Sequence, residues 1–163
     1  MILSDSLYTI IGLEIKIERY SYLSIRSIIE CFLRYYFKIE ESLTANMRTL
    51  FTDFKGEIYD EEFLKKANRF HDVYSRSCMY VHGNADAELS IIEKYNGLRQ
   101  NKIKDVVVIN IFEDLFFVLT FIIEFLVEYN PDLVDDAFQR QKSTLEYLVG
   151  RNLKNLMLKN LDK

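Results

Sequence analysis

Residues 60–83 read DEEFLKKANRFHDVYSRSCMYVHG, and this stretch predicts one long amphipathic helix. Asp60 can cap the helix, and the two glutamates that follow it suit the positive end of a helix dipole. Gly83 suits the other end, because glycine readily adopts the left-handed conformation of a helix terminus. One face keeps a helical spacing for four turns, at Phe63, Ala67, Phe70, Val73 or Tyr74, and Ser77.

The composition extends this helical interpretation to the whole chain. Of 163 residues, 49% are hydrophobic, five are glycine and one is proline, which is typical of long helices joined by short connections. We expect an all-α bundle of five to six helices in a single domain, residues 1–163. Its core covers about residues 21–129, and C-terminal helices cover 131–163.

Several helix boundaries follow from local signals. A first helix is expected to run to about Tyr20 and a second to about Leu43, either separate or continuous. A shorter helix is expected from Asp86 to about Leu98. Pro131 begins a helix that reaches about residue 149, where Gly150 breaks it.

Residues 106–127, VVVINIFEDLFFVLTFIIEFLV, are long and apolar enough to suggest a membrane span. They also carry Glu113, Asp114 and Glu124, and acids at bilayer depth are costly. We therefore expect a helix of a soluble protein with no membrane partner. Such a helix is usually central in a bundle or buried at a dimer interface.

Charge and cysteine content narrow the functional classes. The net charge of −4 gives no overall positive field, which argues against a nonspecific nucleic-acid coat protein but leaves room for one local cationic cleft. Cys31 and Cys78 do not have zinc-ligand spacing, and no glycine-rich phosphate loop is present. We therefore predict no metal and no cofactor. Cys31 and Cys78, interpreted as two buried thiols, indicate the reducing cytoplasm.

Arg76 and His82 are the candidate catalytic pair. An arginine can hold a phosphate through two hydrogen bonds, and a histidine can move a proton at neutral pH. Together they could cut RNA without a metal, if the helix unwinds near its end so that the two side chains meet. In the alternative interpretation, His82 caps the carbonyls at the helix end and Arg76 pairs with Glu61 or Glu88 on the surface.

The Arg-x5-His stretch resembles the signature of the HEPN superfamily (higher eukaryotes and prokaryotes nucleotide-binding), which is an arginine, four to six residues and a histidine. The end of the helix, YVHG at residues 80–83, looks similar as well. So does an upstream helix with the pattern Ser-x-Arg-x-x-x-Glu-x-x-Leu, formed by Ser24, Arg26, Glu30 and Leu33. The resemblance covers about residues 21–120, the expected four-helix HEPN-like core.

The resemblance implies a metal-independent endoribonuclease, usually a homodimer, in which Arg76 and His82 of both subunits share one cleft. Such domains act in bacterial abortive infection and in toxin–antitoxin systems, which implies an RNA substrate and an antitoxin or defence-system partner protein. Glu30 would orient the pair and Arg26 would add a phosphate contact, although both also fit a surface charge ladder. Active members often carry Asn, Asp or His after the arginine, where this chain has Ser77. The alternatives are a catalytically inactive dimerisation or partner-binding module, and a helical antitoxin.

Overall fold

The computed structural model describes residues 1–40, 43–82 and 104–161. Over these ranges the protein is all-α, as predicted, and no strand occurs. The described helices are α1 (Ile2–Glu14), α2 (Glu18–Tyr36), α3 (Met47–Gly56), α4 (Glu61–His82), α5 (Asp105–Tyr129), α6 (Pro131–Phe138) and α7 (Lys142–Leu161). The described ranges alone thus exceed the predicted five to six helices. The predicted stop at Gly83 and the predicted helix from Asp86 to Leu98 lie outside the described residues.

Two helix ends occur earlier than the sequence predicts, and lysine is responsible for both. Lys16 and Lys38 adopt left-handed backbone conformations, with φ of 59° and 53°. At each site the amide of the following isoleucine donates to a carbonyl five residues earlier, as in Ile39 N to Arg34 O at 2.9 Å. This is the hydrogen-bond pattern of a Schellman motif, which usually carries glycine at the left-handed position. The first two helices therefore end at residues 14 and 36, not near Tyr20 and Leu43.

At the other helix ends, two of the predicted boundary residues match the structure and one helix is shorter than predicted. The backbone amide of Phe63 donates to Asp60 Oδ1 at 2.8 Å, so Asp60 caps α4 as expected. Gly150 has φ of 80° and interrupts α7 where a break was predicted. The helix that begins at Pro131 ends at Phe138 instead of near residue 149.

The chain divides into two compact units, and the candidate site lies in the first, Met1–Val118. Helices α2, α3 and α4 meet there around a cluster of buried phenylalanines. The ring of Phe32 lies edge-on to both Phe54 and Phe70, with centroids 5.9 Å apart in each pair. Edge-to-face packing of this kind adds to the stabilisation from area burial alone. This core fixes α4, the helix that carries Arg76.

Helix α1 packs closely against α2 through small residues. Gly12 lies so near Ser21 that a β-carbon on Gly12 would be 2.5 Å from Ser21 Oγ and 3.0 Å from Ser21 N. Side chains also join the two helices, since Ser27 Oγ donates to Asp5 Oδ2 at 2.8 Å and Ser21 Oγ donates to Thr9 O at 3.1 Å. The serines of α2 thus permit the close helix approach that their size suggests.

This close contact predicts that Gly12→Ala destabilises the protein by about 1–2 kcal/mol. The new methyl group would collide with Ser21, and relief of overpacking requires a shift of backbone or side chain. Gly56→Ala is the matched control, because a β-carbon there meets no atom within 4 Å. We expect this control to be neutral or slightly stabilising, since alanine favours helix. Urea unfolding of both variants measures the difference, and equal stabilities would contradict the packing.

Helix α5 is only partly buried. By length and composition it could cross a membrane, a test that core helices of soluble proteins also pass, and a third of its most apolar 18 residues are buried. Phe121 and Phe125 are buried, as expected for core residues, whereas Phe112 and Phe116 are 52% and 69% exposed. Phe121 and Phe125 thus pack inside the chain, whereas Phe112 and Phe116 face solvent, and the packing of this helix at a dimer interface stays a prediction.

The second unit, Leu119–Lys163, has its own small core. Val127, Val134, Leu145 and Met157 form a buried cluster, with leucines and Phe138 packed around it. Helices α6 and α7 thus bury their apolar faces together with the end of α5.

Candidate functional site

A polar cleft of about 420 Å³ opens between α4 and α5 in the first unit. Its described lining comes from three helices and mixes arginines, carboxylates and tyrosines. The lining residues are Tyr22, Arg69, Asp72, Val73, Arg76, Tyr80, Asn110, Glu113 and Asp114. Of the predicted site residues whose side chains the structure describes, only Arg76 lines this cleft.

Arg76 is held in the cleft by a two-point ion pair with Asp114. Its Nη2 donates to both carboxylate oxygens, at 2.6 and 2.7 Å, and its Nε donates to Oδ2 at 3.2 Å. The Asp114 side chain is 7% exposed, whereas that of Arg76 is 41% exposed. Burial opposes the charge of Arg76, but the hydrogen bonds and charge of Asp114 outweigh it and raise the pKa of the guanidinium. The arginine is thus charged, oriented and open to solvent on one side.

This partner differs from the acids proposed for Arg76 in the alternative interpretation. Asp114 lies on α5, 38 residues along the chain, whereas Glu61 lies in the first turn of the same helix as Arg76. Glu88 lies outside the described residues. Arg76 is therefore an inter-helix anchor and not part of a surface pair with Glu61.

His82 is the last residue of α4. Helix α4 runs unbroken through His82, so the unwinding expected near the helix end does not occur up to that residue. The imidazole of His82 is not among the described side chains, and its approach to Arg76 stays a prediction. The backbone next to His82 is contacted from α2, where Arg19 Nη2 donates to the carbonyl of Val81 at 2.5 Å. A cation at a helix C-terminus is favourable, since the terminal carbonyls carry partial negative charge. Arg19 thus places a second guanidinium next to the backbone of His82.

Two stacked tyrosines form the wall of the cleft near the end of α4. The rings of Tyr22 and Tyr80 are 4.1 Å apart at an interplanar angle of 16°. Burial is the main cause that raises the pKa of each phenol, and a hydrogen bond to Glu18 adds to the effect at Tyr80. Both hydroxyls are therefore protonated at neutral pH, and Tyr80 packs on Tyr22 at the edge of the cleft.

Glu30 and Arg26 lie outside the cleft lining. Arg26 Nε donates to Glu30 Oε1 at 2.7 Å, and the hydroxyl of Tyr74 donates to the same oxygen at 3.0 Å. Glu30 thus links α2 to α4 through Tyr74, and its described contacts do not include Arg76. The geometry agrees with the ladder interpretation for Arg26 and Glu30. It adds the hydroxyl of Tyr74, a residue that the sequence indicated only as part of an apolar helix face.

Ser77 is fully buried, although it follows Arg76 directly. Its Oγ donates to the carbonyl of Val73 at 2.8 Å, one turn earlier in α4. Successive residues on a helix point about 100° apart, so Ser77 faces the core while Arg76 faces the cleft. Ser77, named above as the residue that follows the arginine, was expected to support the site, but it is buried against its own helix and does not reach the cleft.

His71, the second histidine, packs against the aromatic core. Its ring stacks on Phe51 with centroids 4.2 Å apart, and Lys55 Nζ lies 3.0 Å from its Nδ1. Burial, together with the charge of Lys55, lowers the pKa of His71. This neutral, packed histidine provides a control for His82.

The lowered pKa of His71 predicts a loss of stability in mild acid. In the unfolded chain the imidazole gains its proton below about pH 6.5, but in the folded protein only at lower pH. The unfolded state therefore binds more protons as the pH falls, and the free energy of unfolding decreases between pH 7 and 5. The variant His71→Gln should show a flatter pH dependence in urea unfolding. An unchanged slope would contradict the contribution of His71.

The cleft is electrostatically mixed. Arg76 and Arg69 face Asp72, Glu113 and Asp114, so acids outnumber arginines among the described lining residues. The guanidinium of Arg69 lies over the ring of Phe117 at 4.1 Å from the centroid, and no carboxylate partner is found for it in the described ranges. Those ranges also contain no cluster of three or more His, Cys, Asp or Glu side chains placed to hold a metal ion.

Sequence reasoning missed several residues at this site. Asp114 had a usable signal, because an acid within an apolar helix requires a cation when it is buried. The sequence carries no comparable signal for Arg19 and Tyr22, because their role depends on how α2 crosses the end of α4.

Comparisons of the chain with protein-family models, curated proteins and solved structures found no match.

Proposed function

We propose that the protein is a HEPN-type endoribonuclease that cuts RNA without a metal, with Arg76 and His82 as its catalytic residues. The main observation in support is the position of Arg76. It is charged, 41% exposed and lines a polar cleft, and it lies on the helix whose last residue is His82. The wider context in this proposal is a cytoplasmic homodimer that acts as a defence or toxin effector, with a neutralising or defence-system protein as partner.

In the proposed reaction, His82 removes the proton from a ribose 2′-hydroxyl, or protonates the leaving 5′-oxygen. The 2′-oxygen attacks the adjacent phosphorus, and the bond from phosphorus to the 5′-oxygen breaks. The products are a 2′,3′-cyclic phosphate and a 5′-hydroxyl. Arg76 binds the phosphate and stabilises the negative charge that develops on its oxygens. A second copy of the chain supplies the acid when His82 of the first acts as the base.

The proposal assigns no direct role in the cleft to Glu30, Arg26 or Ser77. Glu30 and Arg26 pair with each other and with Tyr74, and Ser77 is buried against its own helix. Their contribution is to hold α4 in place.

A second candidate function is an inactive HEPN-like module that binds a partner protein or a second copy. Two observations favour it. Arg76 is already bound to a carboxylate, and an apolar patch lies beside the cleft, lined by Val108, Ile109, Phe112, Glu113 and Phe116. Exposed apolar patches of this type often mark protein interfaces. In this alternative, the chain would associate with a partner but leave RNA intact.

Inducible expression in bacteria distinguishes the two functions. We expect wild type to arrest growth and fragment total RNA, whereas His82→Ala and Arg76→Lys leave growth and RNA intact at equal protein levels. His71→Gln is the matched control and should behave as wild type. Intact RNA in every strain would favour the inactive module. Equal toxicity in every strain would mean that the activity lies elsewhere.

A further inference from the structure

We infer that Asp114 is a positioning residue for catalysis, which orients the guanidinium of Arg76 toward the scissile phosphate. This inference depends on the proposed function and adds a residue on α5 to its machinery. Arg76 and His82 are on α4, so Asp114 would make the orientation of the site depend on the contact between two helices.

The hydrogen-bond pattern of Arg76 supports this role. Asp114 occupies the edge of the guanidinium formed by Nε and Nη2. Arg76 Nη1 has no partner in the described ranges, so among those residues the other edge of the planar group stays available for a phosphate oxygen. The five donors of an arginine have a fixed geometry, and holding one edge therefore fixes the direction of the other.

The burial of Asp114 adds a second argument. Its carboxylate is 7% exposed on a mostly apolar helix, and all its described hydrogen bonds go to Arg76. An apolar pair of similar size would serve packing at least as well, because buried ion pairs add little net stability. A carboxylate next to a phosphate site also weakens phosphate binding by repulsion. The small gain in stability and the repulsion of phosphate are both explained if the function of Asp114 is to place Arg76 precisely.

Positioning differs from simple charge effects in its kinetic consequences. If Asp114 only contributes negative charge, its removal should improve RNA binding and leave turnover unchanged. If it positions Arg76, its removal should lower turnover, because a guanidinium that moves by about 1 Å can cost two orders of magnitude in rate. Glu113 provides the comparison. It lines the same cleft from the same helix, is exposed and has no hydrogen-bond or ion-pair partner in the described ranges.

The test is steady-state RNA cleavage by the purified full chain, with wild type, Asp114→Asn, Asp114→Glu and Glu113→Gln compared. We expect Asp114→Asn to lower kcat by about 10- to 100-fold with KM changed less than about 3-fold. Asp114→Glu, which keeps the charge, should restore part of kcat. Glu113→Gln should keep kcat within about 3-fold of wild type. Circular dichroism melting confirms that each variant is folded under the assay conditions.

The outcomes separate this inference from the proposed function. A wild-type protein that cleaves RNA while folded Asp114→Asn retains its kcat overturns the positioning role alone. Equal losses of kcat in Asp114→Asn and Glu113→Gln also overturn it, because they would indicate a general charge effect. A folded wild-type protein that leaves RNA uncut overturns the proposed function, and the positioning role with it.

Discussion

Replacement of His82 by glutamine is expected to slow RNA cleavage by about 10²- to 10⁴-fold, the usual contribution of a general acid or base. Glutamine keeps a polar side chain of similar size but cannot exchange a proton at neutral pH. Because His82 ends α4, its replacement should leave the buried helix face intact, and the variant should melt close to the wild-type temperature. Rates from end-labelled RNA and purified protein measure the effect.

The two histidines of the chain make this experiment internally controlled. His71 is stacked on Phe51 and bonded to Lys55 in the core, and it does not line the cleft. His71→Gln should therefore keep the cleavage rate within about 3-fold of wild type at pH 7.5, since it touches none of the reacting atoms. A larger loss in His71→Gln than in His82→Gln would show that the wrong histidine has been assigned.

Loss of the Arg76 side chain should destabilise the protein more than loss of the charge on Asp114. Arg76→Ala leaves a carboxylate that is 7% exposed without its partner, and we expect a cost of about 3 kcal/mol. Asp114→Asn leaves Arg76, which is 41% exposed and can be hydrated, so about 1 kcal/mol is expected. The two losses of stability differ because Asp114 is less exposed than Arg76 and therefore depends more on its partner.

Urea unfolding of the two single variants and of the double variant tests this asymmetry. The double variant should be more stable than the sum of the single losses predicts, since removal of both charges leaves no buried group unpaired. Equal losses in the two single variants, or strictly additive losses in the double variant, would contradict a coupled ion pair. The comparison also shows why Arg76→Lys is preferred to Arg76→Ala in activity assays.

The helical class of the protein could be predicted because its signals are local. The cap at Asp60, the apolar spacing along α4 and the break at Gly150 all depend on neighbours in sequence. The ends at Lys16 and Lys38 could not be predicted in the same way. A Schellman motif is recognised in sequence by its glycine, and here lysine takes the left-handed position.

The candidate site was predictable only where one helix carries it. Arg76 was identified from its spacing to His82, and it does line a polar cleft. The placement of Glu30 beside Arg76 was not predictable, because it depends on the rotation of α2 against α4, which turns Glu30 to Tyr74 instead. Asp114 comes from α5, and only tertiary packing brings it to Arg76.

The chemical nature of the RNA ends produced by the purified wild-type protein in EDTA tests the central claim most directly. The account predicts fragments with 2′,3′-cyclic phosphate and 5′-hydroxyl ends, and no cut at a position where the ribose is replaced by 2′-deoxyribose. Fragments with 5′-phosphate ends, or cleavage at the 2′-deoxy position, would show that the 2′-hydroxyl is not the nucleophile and would contradict the roles assigned to Arg76 and His82.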